Sequence, residues 1–204
     1  MQEKYEDNSF REFFTSTVRQ ELKRLNELVE KLIAFSTPLT YNFTEADIHE
    51  IIDTGFLLLR DQGKTEKIVL KTNYCDKPLH VKADKTILAR GFSYILSELI
   101  QSLGAEGSIN IETLPDNHFD SGGVRVCFND KESENGASSA EDIFEIFDPL
   151  AINEADYITL GLPVSRKIIE DHGGIIKASL SDKKRFKFEV LLPNFTGEGW
   201  ENNE

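Results

Sequence analysis

The sequence has few of the residues that build disulfide frameworks and zinc sites. Only two cysteines occur among its 204 residues, Cys75 and Cys127, and each stands in an apolar alternating run without a second metal ligand nearby. A single pair placed in this way argues against a disulfide framework and against a zinc site. We therefore expect both cysteines to be small buried side chains.

Positive charge and long apolar runs are also scarce. There are 23 Lys and Arg residues against 36 Asp and Glu, for a formal net charge of -13. This sign repels the phosphates of nucleic acids and anionic lipids, so we expect no nucleic-acid partner. No apolar run approaches the roughly 18 residues of a spanning helix, and the polar start of the chain is unlike a signal peptide. We expect a cytoplasmic chain with no membrane insertion in this segment.

What the sequence does contain begins with a helical seam. Between Phe10 and Phe35, six apolar residues recur at steps of four, four, three, four and three, which is the spacing of a helix that pairs with another helix. Pro38 ends the pattern. We expect residues 1–38 to form an association helix in a homodimer or heterodimer, with a helix folded back on its own domain as the alternative. The expected contact residues are Val18, Leu22, Leu25, Val29 and Leu32.

From Thr40 onwards helix and strand patterns alternate, which is typical of an α/β domain. The predicted helices are Glu45–Leu59, Lys85–Leu103 and Pro163–His172. The predicted strands are Thr40–Phe43, Lys67–Asn73, Leu79–Ala83, Ser108–Leu114, Gly123–Phe128, Ile175–Leu180 and Phe186–Leu192. We expect a two-layer α/β sandwich over residues 39–195, with the helices on one face of a mixed sheet, and a disordered tail at 196–204.

Three segments of this domain carry a family resemblance. Residues Thr159–Gly174 (TLGLPVSRKIIEDHGG) resemble the second glycine box and following helix of sensor histidine kinases. Ile143–Pro149 (IFEIFDP) resembles their phenylalanine box, and Val81–Asp84 followed by Lys85–Leu103 resembles their asparagine box. The first helix is similar to the second helix of the kinase dimerisation hairpin. The resemblance implies two-component signalling, the Bergerat-type ATP-binding fold shared with gyrase and heat-shock chaperone ATPases, and a kinase or response regulator as partner.

The resemblance also indicates where an Mg-ATP site would lie and how this sequence departs from it. The family's magnesium-binding asparagine falls on Glu98, the basic residue after it on Gln101, and a further polar position on Tyr94. On a helix these three residues share one face, opposite the apolar stripe. A carboxylate can hold Mg²⁺, but the two exchanges make the local charge about two units more negative.

The first glycine box has lost its expected glycines. Counting back without gaps from Phe144 places the family's adenine-binding aspartate at Asp130, whereas a shifted alignment places Glu134 there. In the ungapped alignment the two glycine positions are Glu132 and Glu134. Glutamate does not allow the close backbone approach to a base that glycine allows.

The second glycine box keeps one of three glycines, because its alternate positions are Tyr157, Thr159 and Gly161. In the family the amides of this loop wrap the phosphates at a helix N-terminus, and side chains at the first two positions would open the loop. The segment from Asp130 to Asp156 adds nine acidic residues against one basic residue, a net charge of -8. This charge opposes a triphosphate.

The phosphoacceptor histidine of the family would lie upstream of the first helix. None of the four histidines, which are His49, His80, His118 and His172, stands there, so a phosphotransfer protein on the same scaffold also lacks its histidine. We expect a degenerate module, a pseudokinase without catalytic residues or a bound cofactor, that signals by protein contact. The alternative is a divergent but active histidine kinase domain that binds Mg-ATP, with Glu98 as the metal ligand. Its nucleotide-binding residues would be Asp130, Glu98, Tyr94, Gln101, Thr159, Gly161 and Leu162.

Overall fold

The chain divides into two compact units, residues 1–39 and 40–204. A computed structural model describes residues 10–19, 21, 22, 29, 40–60, 65–103, 106–130, 147, 161–180 and 186–195. In the first unit the described residues are helical, and we call them α1. Large apolar side chains of α1 are exposed in the single chain, namely Phe13, Phe14, Val18, Leu22 and Val29.

The described part of the second unit alternates strands and helices along the chain. Its helices are α2 (Ile48–Arg60), α3 (Lys85–Leu103) and α4 (Gly161–Asp171). Its strands are β1 (Thr44–Asp47), β2 (Ile68–Asn73), β3 (His80–Ala83), β4 (Gly107–Asp116), β5 (Gly123–Asp130), β6 (Ile175–Leu180) and β7 (Phe186–Pro193).

Five of these strands form one mixed sheet in the order β2-β4-β5-β7-β6. β2 runs parallel to β4, and the other neighbours are antiparallel. β1 and β3 form a separate antiparallel pair. Alternate residues of β5, such as Val126 and Phe128, are fully buried, while Arg125 and Cys127, which alternate with them, are partly exposed. This period of two shows that the helices cover one face of the sheet and leave the other face polar.

The helices lie side by side on the apolar face, with α3 in contact with α2, α4 and the sheet. Phe92 of α3 packs on Phe128 of β5 with ring centroids 5.4 Å apart. Glycines allow the helices to approach each other, since a Cβ at Gly91 would lie 3.2 Å from Ile168 Cγ2 of α4. The α/β fold with helices on a mixed sheet is confirmed.

The first strand of this domain was predicted at the wrong place in the sequence. Residues 40–43 are not a strand, and the strand β1 occupies residues 44–47, the last three of which the sequence predicted as the start of a helix. β1 exists because it pairs with β3, Thr44 opposite Ala83. α2 begins at Ile48, because Asp47 Oδ1 accepts the His49 amide at 2.9 Å and caps the helix.

The two cysteines are free thiols, and both are partly exposed rather than fully buried. Cys127 faces the polar side of the sheet, where partial burial raises the pKa of its thiol. Among the residues that the structure describes, no group of three or more His, Cys, Asp or Glu side chains could hold a metal ion. None of the described helices has the length and apolar character needed to cross a bilayer.

Candidate functional site

The polar face of α3 is the first component of the candidate site. Tyr94 and Glu98 are half-buried and Gln101 is exposed, whereas Leu96 and Leu99 on the opposite side are fully buried. The burial pattern arises because one stripe of the helix packs on the sheet and on its neighbouring helices. The three side chains predicted to face a nucleotide therefore do share the accessible face of α3.

The first turn of α4 is the second component, and it lies against Tyr94. A Cβ placed on Gly161 would be 3.6 Å from Tyr94 Cβ and 3.7 Å from Tyr94 Cδ1. The Tyr94 side chain thus packs beside the N-terminus of α4, where backbone amides without intrahelical partners and the positive end of the helix dipole attract anions. Leu162, the next residue, is only 3% exposed, so it can offer a ligand its backbone but not its side chain.

Asp130 is the third component and lies at the carboxyl end of β5, the central strand of the sheet. It pairs across the ladder with Ile109 of β4 and is 1% exposed. A carboxyl group is costly to bury, and such positions are more frequent at functional sites than elsewhere. β5 also contacts α3, so the structure places Asp130 on a strand beneath the helix that carries Tyr94 and Glu98.

Phe147, from the predicted phenylalanine box, is anchored on α4. It is 6% exposed, and the Arg166 guanidinium lies 5.8 Å from the centroid of its ring. Arg166 also donates to Glu170 at 2.7 Å, which holds the cation in place over the ring. Several other predicted residues lie outside the described part of the chain, namely Leu25, Leu32, Glu132, Glu134, Tyr157, Thr159 and the tail at 196–204.

His172, at the end of the predicted helix Pro163–His172, is buried in the structure. Its ring Nδ1 lies 2.7 Å from the Ile168 carbonyl oxygen, and its Nε2 accepts the Asp84 amide at 3.1 Å. Burial lowers the pKa of His172. The signal was present in the sequence, because His172 continues the buried i, i+4 stripe of α4 that includes Ile168.

Two other histidines also have structural partners. His49 stacks on Tyr74 with ring centroids 4.3 Å apart, and its Nε2 lies 2.9 Å from Thr113 Oγ1. His80 Nδ1 lies 2.9 Å from Glu45. Neither the stacked pair nor the His80–Glu45 contact was predicted, because each joins residues from separate elements.

Curated proteins with similar sequences are sensor histidine kinases, although no family model matches the chain. ZraS of Salmonella typhimurium is 27% identical over 174 residues, which are 85% of this chain and 36% of that kinase. AtoS of Escherichia coli is 22% identical over 180 residues, 88% of this chain and 29% of that kinase. The chain therefore spans about a third of the length of these relatives.

Solved histidine kinases have the same fold. The kinase ThkA in complex with the response regulator TrrA matches 95% of this chain with a TM-score of 0.71 and 25% identity, over 54% of the solved chain. The nucleotide-free catalytic domain of ThkA matches 75% of this chain, and 97% of its own, with a TM-score of 0.58 and 26% identity. Full-length ShkA with AMPPNP matches 95% of this chain and 40% of its own with a TM-score of 0.68, but only 18% identity.

Proposed function

Because this chain is a homologue of the sensor histidine kinases of two-component signalling and has the α/β fold of their ATP-binding domain, we propose that it is a degenerate histidine-kinase module. In this proposal the module signals by protein contact and does not bind ATP productively. The position of the Tyr94 side chain beside Gly161 is the observation that carries the proposal.

Tyr94 occupies space that the phosphates of a nucleotide would need. A Cβ at Gly161, the first residue of α4, would lie in ordinary van der Waals contact with the Tyr94 side chain, so Tyr94 faces the amides that would wrap a phosphate. A polar side chain smaller than tyrosine at this position would leave this approach open. Phosphate binding to this chain would require the Tyr94 ring to move away from Gly161.

Glu98 adds like charge to the same face of α3. A carboxylate at about 4–8 Å from a phosphate charge, with an effective dielectric constant near 20, opposes it by roughly 2–4 kcal/mol before screening by salt. Micromolar affinity corresponds to about 8 kcal/mol. A few such repulsions, together with the net charge of -8 between Asp130 and Asp156, offset the affinity of an ordinary nucleotide site.

Two observations favour the alternative, a divergent but active kinase domain. Asp130 is a carboxyl group that is 1% exposed at the end of β5, where burial of a charge is costly. Gly161 has room for a Cβ, with no atom closer than 3.6 Å, so packing does not require glycine there. In this alternative Asp130 accepts a hydrogen bond from adenine, Glu98 holds Mg²⁺, and Tyr94, Gln101, Thr159, Gly161 and Leu162 line the nucleotide.

Calorimetric titration with Mg-ATP and with ATP alone distinguishes the two functions. We expect no heat of binding up to about 1 mM nucleotide, the concentration that corresponds to only ~4 kcal/mol. The double variant Tyr94→Asn, Glu98→Asn removes the bulk and the charge, and we expect it to gain measurable Mg-ATP affinity. Submillimolar binding by the unaltered chain, abolished by Asp130→Asn, would overturn the proposal in favour of the active kinase.

The partners and the location belong to the same proposal. The exposed apolar seam of α1 supports pairing with a second copy or with a kinase of the same family. The ThkA–TrrA complex supports a response regulator as the class of partner, and the net charge of -13 favours a basic surface on it. The two free cysteines support a reducing compartment, the cytoplasm.

A further inference from the structure

Residues 41–43, which we call the latch, lie directly before β1 and are held by side chains from distant parts of the sheet domain. The Tyr41 hydroxyl donates to Oδ2 of Asp171, the last residue of α4, at 2.6 Å. The Asn42 amide donates to Asp84 Oδ2 at 2.9 Å. The rings of Tyr41 and Phe43 stack on each other with centroids 5.2 Å apart. The latch therefore depends on a few specific contacts rather than on pairing in a sheet.

His172 forms the wall against which the latch packs. Its ring is edge-on to Tyr41 at 5.2 Å and to Phe43 at 5.1 Å. Both ring nitrogens are engaged, because Nδ1 donates to the Ile168 carbonyl and Nε2 accepts the Asp84 amide. This arrangement requires the neutral ring, since a protonated imidazole has two N–H donors and no acceptor.

We propose that the latch is a pH-sensitive conformational device in which protonation of His172 releases residues 41–43 from the sheet domain. An added proton on Nε2 would point at the N–H of Asp84, so the hydrogen bond between them would be replaced by a repulsion between two donors. The charged ring is also costly to keep at 5% exposure. Rotation of His172 into solvent lets both ring N–H groups bond to water, but it removes the ring on which Tyr41 and Phe43 pack.

Charged groups lie near His172 or the latch on α4, on β3 and just before α3. Asp84 precedes α3, Lys167 and Asp171 belong to α4, and Lys82 of β3 lies 5.3 Å from the Phe43 ring centroid. Burial lowers the pKa of His172, and the Ile168 carbonyl, Asp84 and Asp171 oppose this effect without cancelling it. The docked latch therefore binds a proton less readily than a free histidine, whose pKa is about 6.5.

The direction of the pH effect follows from this difference. Above pH ~6.5 His172 is neutral whether the latch is docked or released, so the docked state keeps its full stability. Below that pH the released state binds a proton first, and docking weakens as the pH falls. Burial would raise the pKa of Asp171, but hydrogen bonds from Tyr41 and Lys167 lower it. Asp171 therefore remains ionised in this window and does not cause the change.

The Asn42 amide is the natural reporter, because its N–H is bonded to Asp84 only while the latch is docked. We expect its hydrogen-exchange protection factor, corrected for intrinsic exchange and measured by NMR in the full chain, to be constant above pH ~7. It should then fall by up to about tenfold for each pH unit below 6.5, the slope for one linked proton. The amide of Leu96 in the core of α3 should stay protected throughout.

His172→Gln provides the test of the cause, with His80→Gln as the matched control. A glutamine can donate to Ile168 and accept from Asp84 but does not titrate, so the pH dependence of Asn42 protection should flatten. His80 is 43% exposed and lies outside the latch, so its replacement should leave the pH dependence intact. A fall that persists in His172→Gln would overturn the proposal.

If His172→Gln does not fold, measurements on the unaltered chain still test the proposal. The His172 ring resonances should titrate with a pKa below about 6.5, because the docked state with its neutral ring still predominates where Asn42 protection begins to fall. Constant Asn42 protection down to pH ~5.5, or a His172 pKa at or above the ordinary value, would contradict the device.

Discussion

Gly55 and Gly161 are both helical glycines of the sheet domain, but they differ in the space around them. A Cβ at Gly55 would lie 2.8 Å from the Ala89 carbonyl oxygen and 3.3 Å from Phe92 Cβ, at the crossing of α2 and α3. At Gly161 the nearest atom would be 3.6 Å away. The first glycine is therefore required by the approach of two helices, and the second is not.

We predict that Gly55→Ala destabilises the domain by about 1–3 kcal/mol, the usual cost of overpacking, although alanine by itself favours a helix by ~1 kcal/mol. Gly161→Ala should change the stability by less than ~1 kcal/mol. Urea denaturation followed by circular dichroism measures both. Equal stabilities for the two variants would show that the helix crossing can relax and would contradict the prediction.

Single residues also mark the limit of what a local pattern reveals about the candidate site. The accessible face of α3 with Tyr94, Glu98 and Gln101 follows from helical geometry and was predicted. The role of His172 was missed, because its partner Asp84 is 88 residues away in the sequence. The chemistry of such a residue depends on which distant groups the fold brings to it.

At the scale of an element, the seam of α1 leads to a prediction about assembly. Each truncation of a buried apolar side chain removes about 1–3 kcal/mol of burial, and every 1.4 kcal/mol changes association about tenfold. The double variant Leu25→Ala, Val29→Ala should therefore convert a dimer into a monomer, as measured by light scattering.

The control for that experiment replaces residues of α1 away from the seam. Ser16 and Arg19 are exposed in the single chain and lie off the apolar stripe, so Ser16→Ala with Arg19→Ala should leave the molar mass unchanged. If the seam variant also keeps the mass of the unaltered chain, the seam is not the contact.

Element boundaries were predicted where local signals are strong. α3 and β6 have the predicted bounds. Asp84 caps the start of α3, and Gly173 and Gly174 end α4 directly before β6. β1 was missed since its sequence TEAD is polar, and only Ala46 is fully buried. Pairing with β3, rather than intrinsic propensity, makes it a strand.

At the scale of the whole molecule, the division into two compact units predicts that the second one folds alone. A chain of residues 40–204 keeps the latch, the sheet and the helix layer, so it should unfold cooperatively at nearly the same temperature as the full chain. It should also be monomeric, because it lacks the seam.

Circular dichroism melting and light scattering on the two chains test this prediction together. A non-cooperative transition of the shorter chain would show that the first 39 residues are needed for folding. A shorter chain that remains a dimer would show instead that the association surface lies on the sheet domain.

The sequence by itself determined the helical seam, the alternation of helices and strands and the order of the kinase-like boxes. The seam and the alternation follow from hydrophobic periodicity, and the boxes from their resemblance to kinase motifs; both involve residues close together in the chain and need no knowledge of its packing. Tertiary structure decided the pairing that creates β1, the position of Tyr94 beside Gly161 and the neutral, buried state of His172. Each of these joins residues far apart in the sequence, and their distance and burial are set only when the helices pack on the sheet.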